Sequence, residues 1–305
     1  MLARRAHGPE TCYHDDPRRR DCKTGTAVTR ARTTFAMEII GIVNITRDSF
    51  SDGGRFFAPQ RAIAHARQLM ADGAALVDLG AESTHPDAED VSAEEEIARL
   101  TPVLRALQQD GVRVCVDTYK PAVMRAVLKL GVEIINDVTA LRDPDAVAAV
   151  RDSAARVILM HSTAASARAA RLDVSPGAIV SRIVGFFESR IAELEAAGIA
   201  RQRLILDPGM GFFLGRDPAV SLAVLRGLDR LTALGLPLCV STSRKSFIGS
   251  VLGAGADPRP VEQRGAGTLA TELWAVQHGV QFIRTHDVRA LRDALTIWAA
   301  ITEAV

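Results

Sequence analysis

Apolar runs of β character recur eight times along the chain, each closed by a polar cluster and followed by a stretch with helical apolar spacing. The clusters are Asn44 to Gly54, Asp78 to Pro86, Asp117 to Pro121, Asn136-Asp137, Met160-His161, Asp207 to Phe213, Ser243 to Ser246 and Arg284 to Asp287. Strand and helix in strict alternation imply a parallel sheet with helical crossovers. Eight such units predict an α/β fold of the (β/α)8 TIM barrel type, in which chemistry gathers at the C-terminal ends of the strands. Nearly every unusual polar residue of the chain falls at such an end, so the fold expectation also locates the site.

The predicted strands are Glu38 to Val43, Leu76 to Leu79, Val112 to Val116, Glu133 to Ile135, Arg156 to Leu159, Leu204 to Leu206, Pro237 to Ser241 and Gln281 to Arg284. The predicted helices run over Pro59 to Asp72, from Ser92, Ala122 to Leu130, from Pro144, Pro176 to Ala197, Pro218 to Leu231, Val261 to His278 and Val288 to Ala304. Ser92 with Glu95 three residues later forms a capping-box pattern. Ile179, Ile183, Phe186, Phe187, Ile191 and Leu194 keep helical spacing in the fifth helix. The loop after the first strand is long and polar, as functional lids often are.

With 305 residues and 48% hydrophobic composition, the chain can fill one large α/β core and leave a modest surplus. The surplus is residues 1–36, rich in Arg and without apolar period, which predicts a disordered or non-native extension ahead of a single domain over 37–305. It has no apolar core of a secretory signal. A net charge of +1 gives no basic stripe for nucleic acid, and no apolar run approaches a membrane span. Cys115 and Cys239 sit inside apolar strands, where cysteine acts as a small hydrophobe. No disulfide framework or metal spacing appears, which predicts a reducing cytoplasm.

Taken singly, the strand-end residues are ambiguous. Asp117 could cap the next helix, Asn136 could satisfy loop backbone, Asp207 before Pro208-Gly209 could be turn chemistry, and His161 could be a packed core histidine. Convergence changes the reading, because all strand C-ends of a parallel barrel open into one bowl. Asp117, Asn136, Asp207 and Lys245 then offer donors and acceptors suited to a flat polar heterocycle. Arg284 and His286 alternate along the eighth strand and can face the same way. With Ser243-Arg244-Lys245-Ser246 they lie where barrels of this type bind phosphate. Asn44 neighbours them as a metal or phosphate ligand.

Together the clusters resemble the dihydropteroate synthase family over about residues 38 to 303. The fingerprint is Gly-Ile-Val-Asn-Ile-Thr with Asp-Ser-Phe-Ser-Asp-Gly-Gly, then Glu-Ser-Thr-His-Pro, Val-Asp-Thr-Tyr-Lys-Pro, Ile-Asn-Asp-Val, Met-His, Leu-Asp-Pro-Gly-Met-Gly-Phe, Ser-Arg-Lys-Ser and Arg-Thr-His-Asp. The resemblance implies a transferase of folate biosynthesis that joins 4-aminobenzoate to a dihydropterin-methyl diphosphate, releasing diphosphate. It implies pterin contacts from Asp117, Asn136, Met160, Asp207 and Lys245, and diphosphate contacts from Asn44, His85, Arg284 and His286. Asn44 would also ligate Mg²⁺. Phe50, Thr84, Pro86, Phe212, Phe213 and Ser243 would border the aminobenzoate, and Asp117, Lys245, Arg284 and His286 would carry the catalysis. The family ionises its substrate before the aniline attacks, with the first two loops closing over the reactants. It also implies a homodimer, its interface on the last helices.

The chain departs from the family pattern at several positions. His85 stands where Arg is common and Arg47 where Pro is common; Tyr119 replaces a small hydroxyl residue and Thr285 an apolar one. After Asp207-Pro208-Gly209, the usual Gly-Phe-Gly-Lys becomes Gly211-Phe212-Phe213-Leu214. This resembles the mobile sulfonamide-resistant forms and predicts steric exclusion of the bulkier sulfonamide. Two further readings stay open at the level of sequence: a pterin-binding paralogue without catalysis, and a pterin-dependent methyltransferase.

Overall fold

In the computed structural model, parallel pairing joins eight strands: β1 (Glu38–Asn44), β2 (Leu76–Gly80), β3 (Val114–Asp117), β4 (Ile134–Asp137), β5 (Arg156–Met160), β6 (Leu204–Asp207), β7 (Cys239–Val240) and β8 (Phe282–Thr285). Their order is β6-β5-β4-β3-β2-β1-β8-β7. A parallel bridge between Leu206 and Leu238, with the Leu206 N–H donating to Pro237 O at 2.9 Å, brings the two end strands together and completes the barrel. The structure describes residues 37–45, 57–84, 88, 90–164, 167–170, 172–254 and 257–302. The chain divides into Met1–Phe35 and Ala36–Val305, and all that follows concerns the second unit.

The crossovers are α1 (Phe57–Ala71), α2 (Ala93–Gln109), α3 (Pro121–Lys129), α4 (Pro144–Arg151), α5 (Ile179–Ala196), α6 (Pro218–Arg226), α7 (Leu228–Thr232), α8 (Ser246–Gly253), α9 (Gly265–Gln277) and α10 (Val288–Thr302). Their entries follow local chemistry. Ser92 Oγ accepts from Glu95 N at 3.1 Å, and Asp143 and Asp217 cap α4 and α6 ahead of Pro144 and Pro218. On α2 the buried Leu100, Val103, Leu104 and Leu107 form one stripe against the sheet.

Two expected helices differ in detail, and one helix is unexpected. The sixth breaks at Gly227, where a Cβ would approach Val180 Cγ2 to 2.7 Å, and continues as α7. The seventh begins at Gly265 rather than Val261, after a 3₁₀ turn over Val261–Gln263. Between β7 and that turn lies α8, unforeseen because its eight residues include two glycines and are too few to show a period.

Every strand contributes one side chain to a closed apolar layer inside the barrel: Ile40, Leu76, Cys115, Ile134, Ile158, Ile205, Cys239 and Phe282. Side chains alternate along a strand, so the residues two positions onward also point inward, one layer nearer the mouth. Those residues are Ile42, Asp78, Asp117, Asn136, Met160, Asp207, Ser241 and Arg284. The barrel thus changes from oil to polar chemistry in a single step. Asn44, Ser243 and His286, two further positions onward, form the rim.

Candidate active site

Two connected hollows occupy the mouth. The deep one, about 30 Å³, is lined by Asp117, Asn136, Met160, Asp207 and Lys245, with Phe213 and Arg284 among its neighbours. All five residues assigned to the pterin from sequence therefore meet here. The wide one, about 530 Å³, is lined by Asn44, Thr84, Phe212, Phe213, Ser243, Arg284 and His286, together with Asp117 and Lys245. The diphosphate and aminobenzoate assignments converge there. Phe213 lines both hollows: it is buried with Val138, Met160 and Ala169, and the Lys245 ammonium stands 5.1 Å from its ring centre. Phe212 borders only the wide hollow. Phe50, His85, Pro86 and Arg47 lie outside the described residues.

The ambiguous strand ends resolve individually. Asp117 caps nothing, since Lys120 precedes α3 and makes no side-chain cap bond. Instead its Oδ2 accepts from Arg284 Nη2 at 2.8 Å. Asn136 is buried and its Oδ1 has no partner, which leaves that acceptor free for a ligand. The adjacent Asp137 takes over the loop, accepting from Thr139 N at 2.7 Å and Leu141 N at 2.9 Å. Asp207 serves both turn and site, with Oδ1 accepting from Gly209 N at 2.8 Å. Gly209 is required there: φ is +73°, and a Cβ would stand 2.3 Å from His161 O. His161 is a packed core histidine, edge-on to Phe186 at 5.1 Å, its pKa lowered to about 4, chiefly by burial.

Arg284 is the hub. Its Nε donates to Asp78, a fully buried carboxylate on β2, while Nη2 holds Asp117. Sequence reasoning gave Asp78 no role. The available signal was its place two residues beyond Leu76, which makes it an inward acidic residue of the same layer as Asp117 and Asp207. Burial opposes the Arg284 charge, but Asp78 and Asp117 outweigh it and raise its pKa. Burial pushes Asp117 up to about 7, with Arg284 pulling down and Asp78 pushing up. Asp207 rises to about 6 through burial, opposed by the Gly209 N–H and Lys245. Lys245 falls to about 8 through burial and then repulsion from Arg284, while Asp207 and Asp117 resist. His286 falls to about 3 through burial and then Arg284, so it is a neutral imidazole.

The loop after β2 is tied to the start of α3. Lys120 Nζ donates to Glu82, to Val91 O at 2.6 Å and to Glu96 Oε2 at 2.8 Å. Tyr119 finds a purpose here, its hydroxyl donating to Glu82 Oε1 at 3.4 Å. Opposite, Arg244 has left-handed backbone, φ 58°, fixed by Thr268 Oγ1 accepting from its N–H at 3.0 Å. That bend turns the chain into α8, whose first residues with Arg244 and Arg264 add positive charge to the wide hollow.

A sequence model described as pterin binding enzyme matches residues 40–286. Dihydropteroate synthase type-2 of Escherichia coli is 49% identical over 266 residues, 87% of this chain and 96% of that protein. The structure of Xanthomonas albilineans dihydropteroate synthase with 4-aminobenzoic acid is similar at 41% identity and a TM-score of 0.80, over 88% of this chain and 94% of that one. The same organism's enzyme in complex with 7,8-dihydropteroate gives 40% identity and a TM-score of 0.77, covering 90% and 96% of the two chains.

Proposed function

The chain belongs to the pterin-binding enzyme family and, within it, to the dihydropteroate synthases, and from that premise we propose that it condenses 6-hydroxymethyl-7,8-dihydropterin diphosphate with 4-aminobenzoate. The products are 7,8-dihydropteroate and diphosphate. The observation that carries the reading is the convergence of an unpartnered Asn136 acceptor, the Asp117 and Asp207 carboxylates and Lys245 on one deep hollow that opens onto Arg284 and His286. Residues 37–305 form the single catalytic domain in this proposal.

The pterin ring lies in the deep hollow. Asp207, Asp117 and Asn136 match its N–H groups and Lys245 its carbonyl edge, so a ring without these groups strands buried polar atoms. The diphosphate then lies across the rim at Arg284 and His286. Arg284 keeps donors beyond those engaged by Asp78 and Asp117 and stabilises charge as the C–O bond to diphosphate breaks. Asp117, beside the departing group, offsets the positive charge that develops on the pterin methylene. The aminobenzoate approaches past Thr84, Ser243 and Phe212, and its neutral aniline nitrogen attacks without a strong general base.

Among the described residues no three His, Cys, Asp or Glu side chains gather into a metal cage. Mg²⁺ carried by substrate phosphates needs only one or two protein oxygens, and the Asn44 amide at the rim supplies one. When bound, the ion neutralises charge on the leaving diphosphate.

Formation of dihydropteroate from the two substrates in Mg²⁺ tests the proposal, and pterin binding without turnover would overturn it. The pH profile carries further information. Asp207 and Asp117 accept pterin N–H groups more strongly, and through both oxygens, when ionised, so kcat/KM for the dihydropterin substrate should rise as pH passes about 6 and 7. It should fall again as Lys245 loses its proton above about 8. A flat profile between about pH 5.5 and 9 would remove these groups from the binding step.

We further propose a homodimer through the last helices. Ile297, Trp298 and Ile301 on α10 and Trp274 on α9 expose 63%, 39%, 70% and 42% of their surfaces. Replacing Ile301 by Glu should shift the sedimentation coefficient to that of a monomer. Among the described residues no helix is long and apolar enough to cross a membrane. The free, buried Cys115 and Cys239 support a cytoplasmic location.

A further inference from the structure

The chain between β5 and α5 is bonded to loops on opposite sides of the barrel. One is the loop after β2. The Ala169 N–H donates to Thr84 O at 3.1 Å, and Arg168 Nη2 donates to Asp90 Oδ1 at 2.6 Å. The other is the turn after β6 that carries the two phenylalanines. The Ala170 N–H donates to Phe212 O at 3.3 Å. Thr163 donates twice to Phe213 O, through its N–H at 2.9 Å and its hydroxyl at 3.1 Å. Leu172 O accepts from Arg216 N at 3.0 Å a little further along. In the strand order β2 and β6 stand four places apart, so in a closed ring of eight these bonds reach across the mouth. Apolar contact backs them: Ala169 is buried with Val138, Met160 and Phe213, and Tyr119, Ala167 and Phe212 pack against that cluster.

The consequence lies in two successive residues. Each has one backbone N–H to give. Ala169 gives its own to the Thr84 side and Ala170 gives its own to the Phe212 side. Because a single peptide unit joins the two donors, the Thr84 and Phe212 carbonyl oxygens stay within roughly 10 Å of each other. Thr84 and Phe212 both line the wide hollow, whereas Ala169 and Ala170 line neither hollow. The opening between the two walls is thus set by the segment after β5 and not by either wall alone.

We propose that Ala169 and Ala170 are positioning residues for selectivity: their amides fix the distance between Thr84 and Phe212, and with it the width offered to a substituted aniline. A planar carboxylate fits an opening that a tetrahedral sulfonyl with its substituent does not. The inference rests on the placement of 4-aminobenzoate between Thr84 and Phe212 proposed above. It adds that part of the selectivity resides in backbone that touches neither compound.

Hydrogen exchange in the substrate-free protein tests the two bonds without any substitution. The Ala169 and Ala170 amides should exchange at least about a hundredfold more slowly than unstructured ones, and rapid exchange of either overturns the proposal. Ala170→Pro removes the N–H that holds Phe212 O. The ratio of the inhibition constant of an N-substituted sulfanilamide to KM for 4-aminobenzoate should then fall about three- to tenfold, the scale of one backbone hydrogen bond. KM for the dihydropterin diphosphate should stay as in the parent. Ala170→Gly keeps the N–H and should keep the parent ratio. An equal fall in Ala170→Gly, or a matching rise in the dihydropterin KM of Ala170→Pro, would mark general loosening and overturn the proposal. Ala170→Pro added to Phe212→Gly should lower the ratio no further, because the wall it releases is already gone. Protected amides with an unchanged ratio in both Ala170→Pro and Phe212→Gly would refute the placement of the aminobenzoate. An unchanged ratio in Ala170→Pro alone would refute the spacer.

Discussion

Arg284→Ala should lower folding stability by about 3–5 kcal/mol and kcat by about 10²–10³, the largest combined effect expected of any single substitution in the site. Arg284 is bound through Nε to the fully buried Asp78 and through Nη2 to Asp117 at 2.8 Å. Removing the guanidinium leaves two carboxylates side by side in the barrel without a counter-charge. One must then take up a proton or suffer desolvation unpaired. The sign of the pH dependence follows. Burial already holds the Asp117 carboxyl at about 7, and without the Arg284 guanidinium that pulls it down it rises further, so between the parent's folded-state value and the variant's the folded variant binds more protons than the folded parent. The stability deficit should therefore be smallest in acid and grow as pH rises through those folded-state values. Urea unfolding at several pH values, alongside diphosphate release, measures both effects. Arg284→Lys should recover part of the stability but little of kcat, because an ammonium cannot span two carboxylates and a phosphate with a fixed fork. Equal stability of Arg284→Ala and the parent at neutral pH would mean that the ion triad does not hold the barrel mouth together.

Phe212→Gly should strengthen sulfonamide inhibition at least about tenfold, with little change in KM for 4-aminobenzoate. Phe212 borders the wide hollow and not the deep one, so under the proposed placement of the substrates its ring stands on the path of the aminobenzoate. A planar carboxylate passes a wall that a tetrahedral sulfonyl with its substituent meets, which converts shape into selectivity. Phe213→Gly is a different experiment. That ring is buried against Val138 and Met160 and lies beside Lys245. Its loss should cost about 3–5 kcal/mol of stability and weaken pterin binding as well. Inhibition constants for one sulfonamide across the parent and both variants separate the cases. If Phe212→Gly stays as insensitive as the parent, the aromatic wall does not act as the steric gate.

Much of this protein follows from its sequence. Alternating apolar runs and helical stretches require parallel strands with crossovers, and eight of them close on themselves. The period of two along a strand then selects the inward residues without any coordinates. From the apolar layer of Ile40, Leu76, Cys115, Ile134, Ile158, Ile205, Cys239 and Phe282, a step of two reaches Asp117, Asn136, Met160, Asp207 and Arg284. These positions are legible because alternation is a local property of the chain.

What the sequence left undecided are relations across strands. Asp117 as a helix cap and Asp117 as a partner of Arg284 are indistinguishable until residues 167 apart are brought within 2.8 Å. Asp78 lacked a role because its partner is 206 residues away. The helix α8 has too few residues to declare itself. Local spacing determines which way a side chain points, whereas the curvature of the closed barrel determines what it meets. Burial at that meeting then decides the protonation state, because desolvation and neighbouring charge act through space and not along the chain.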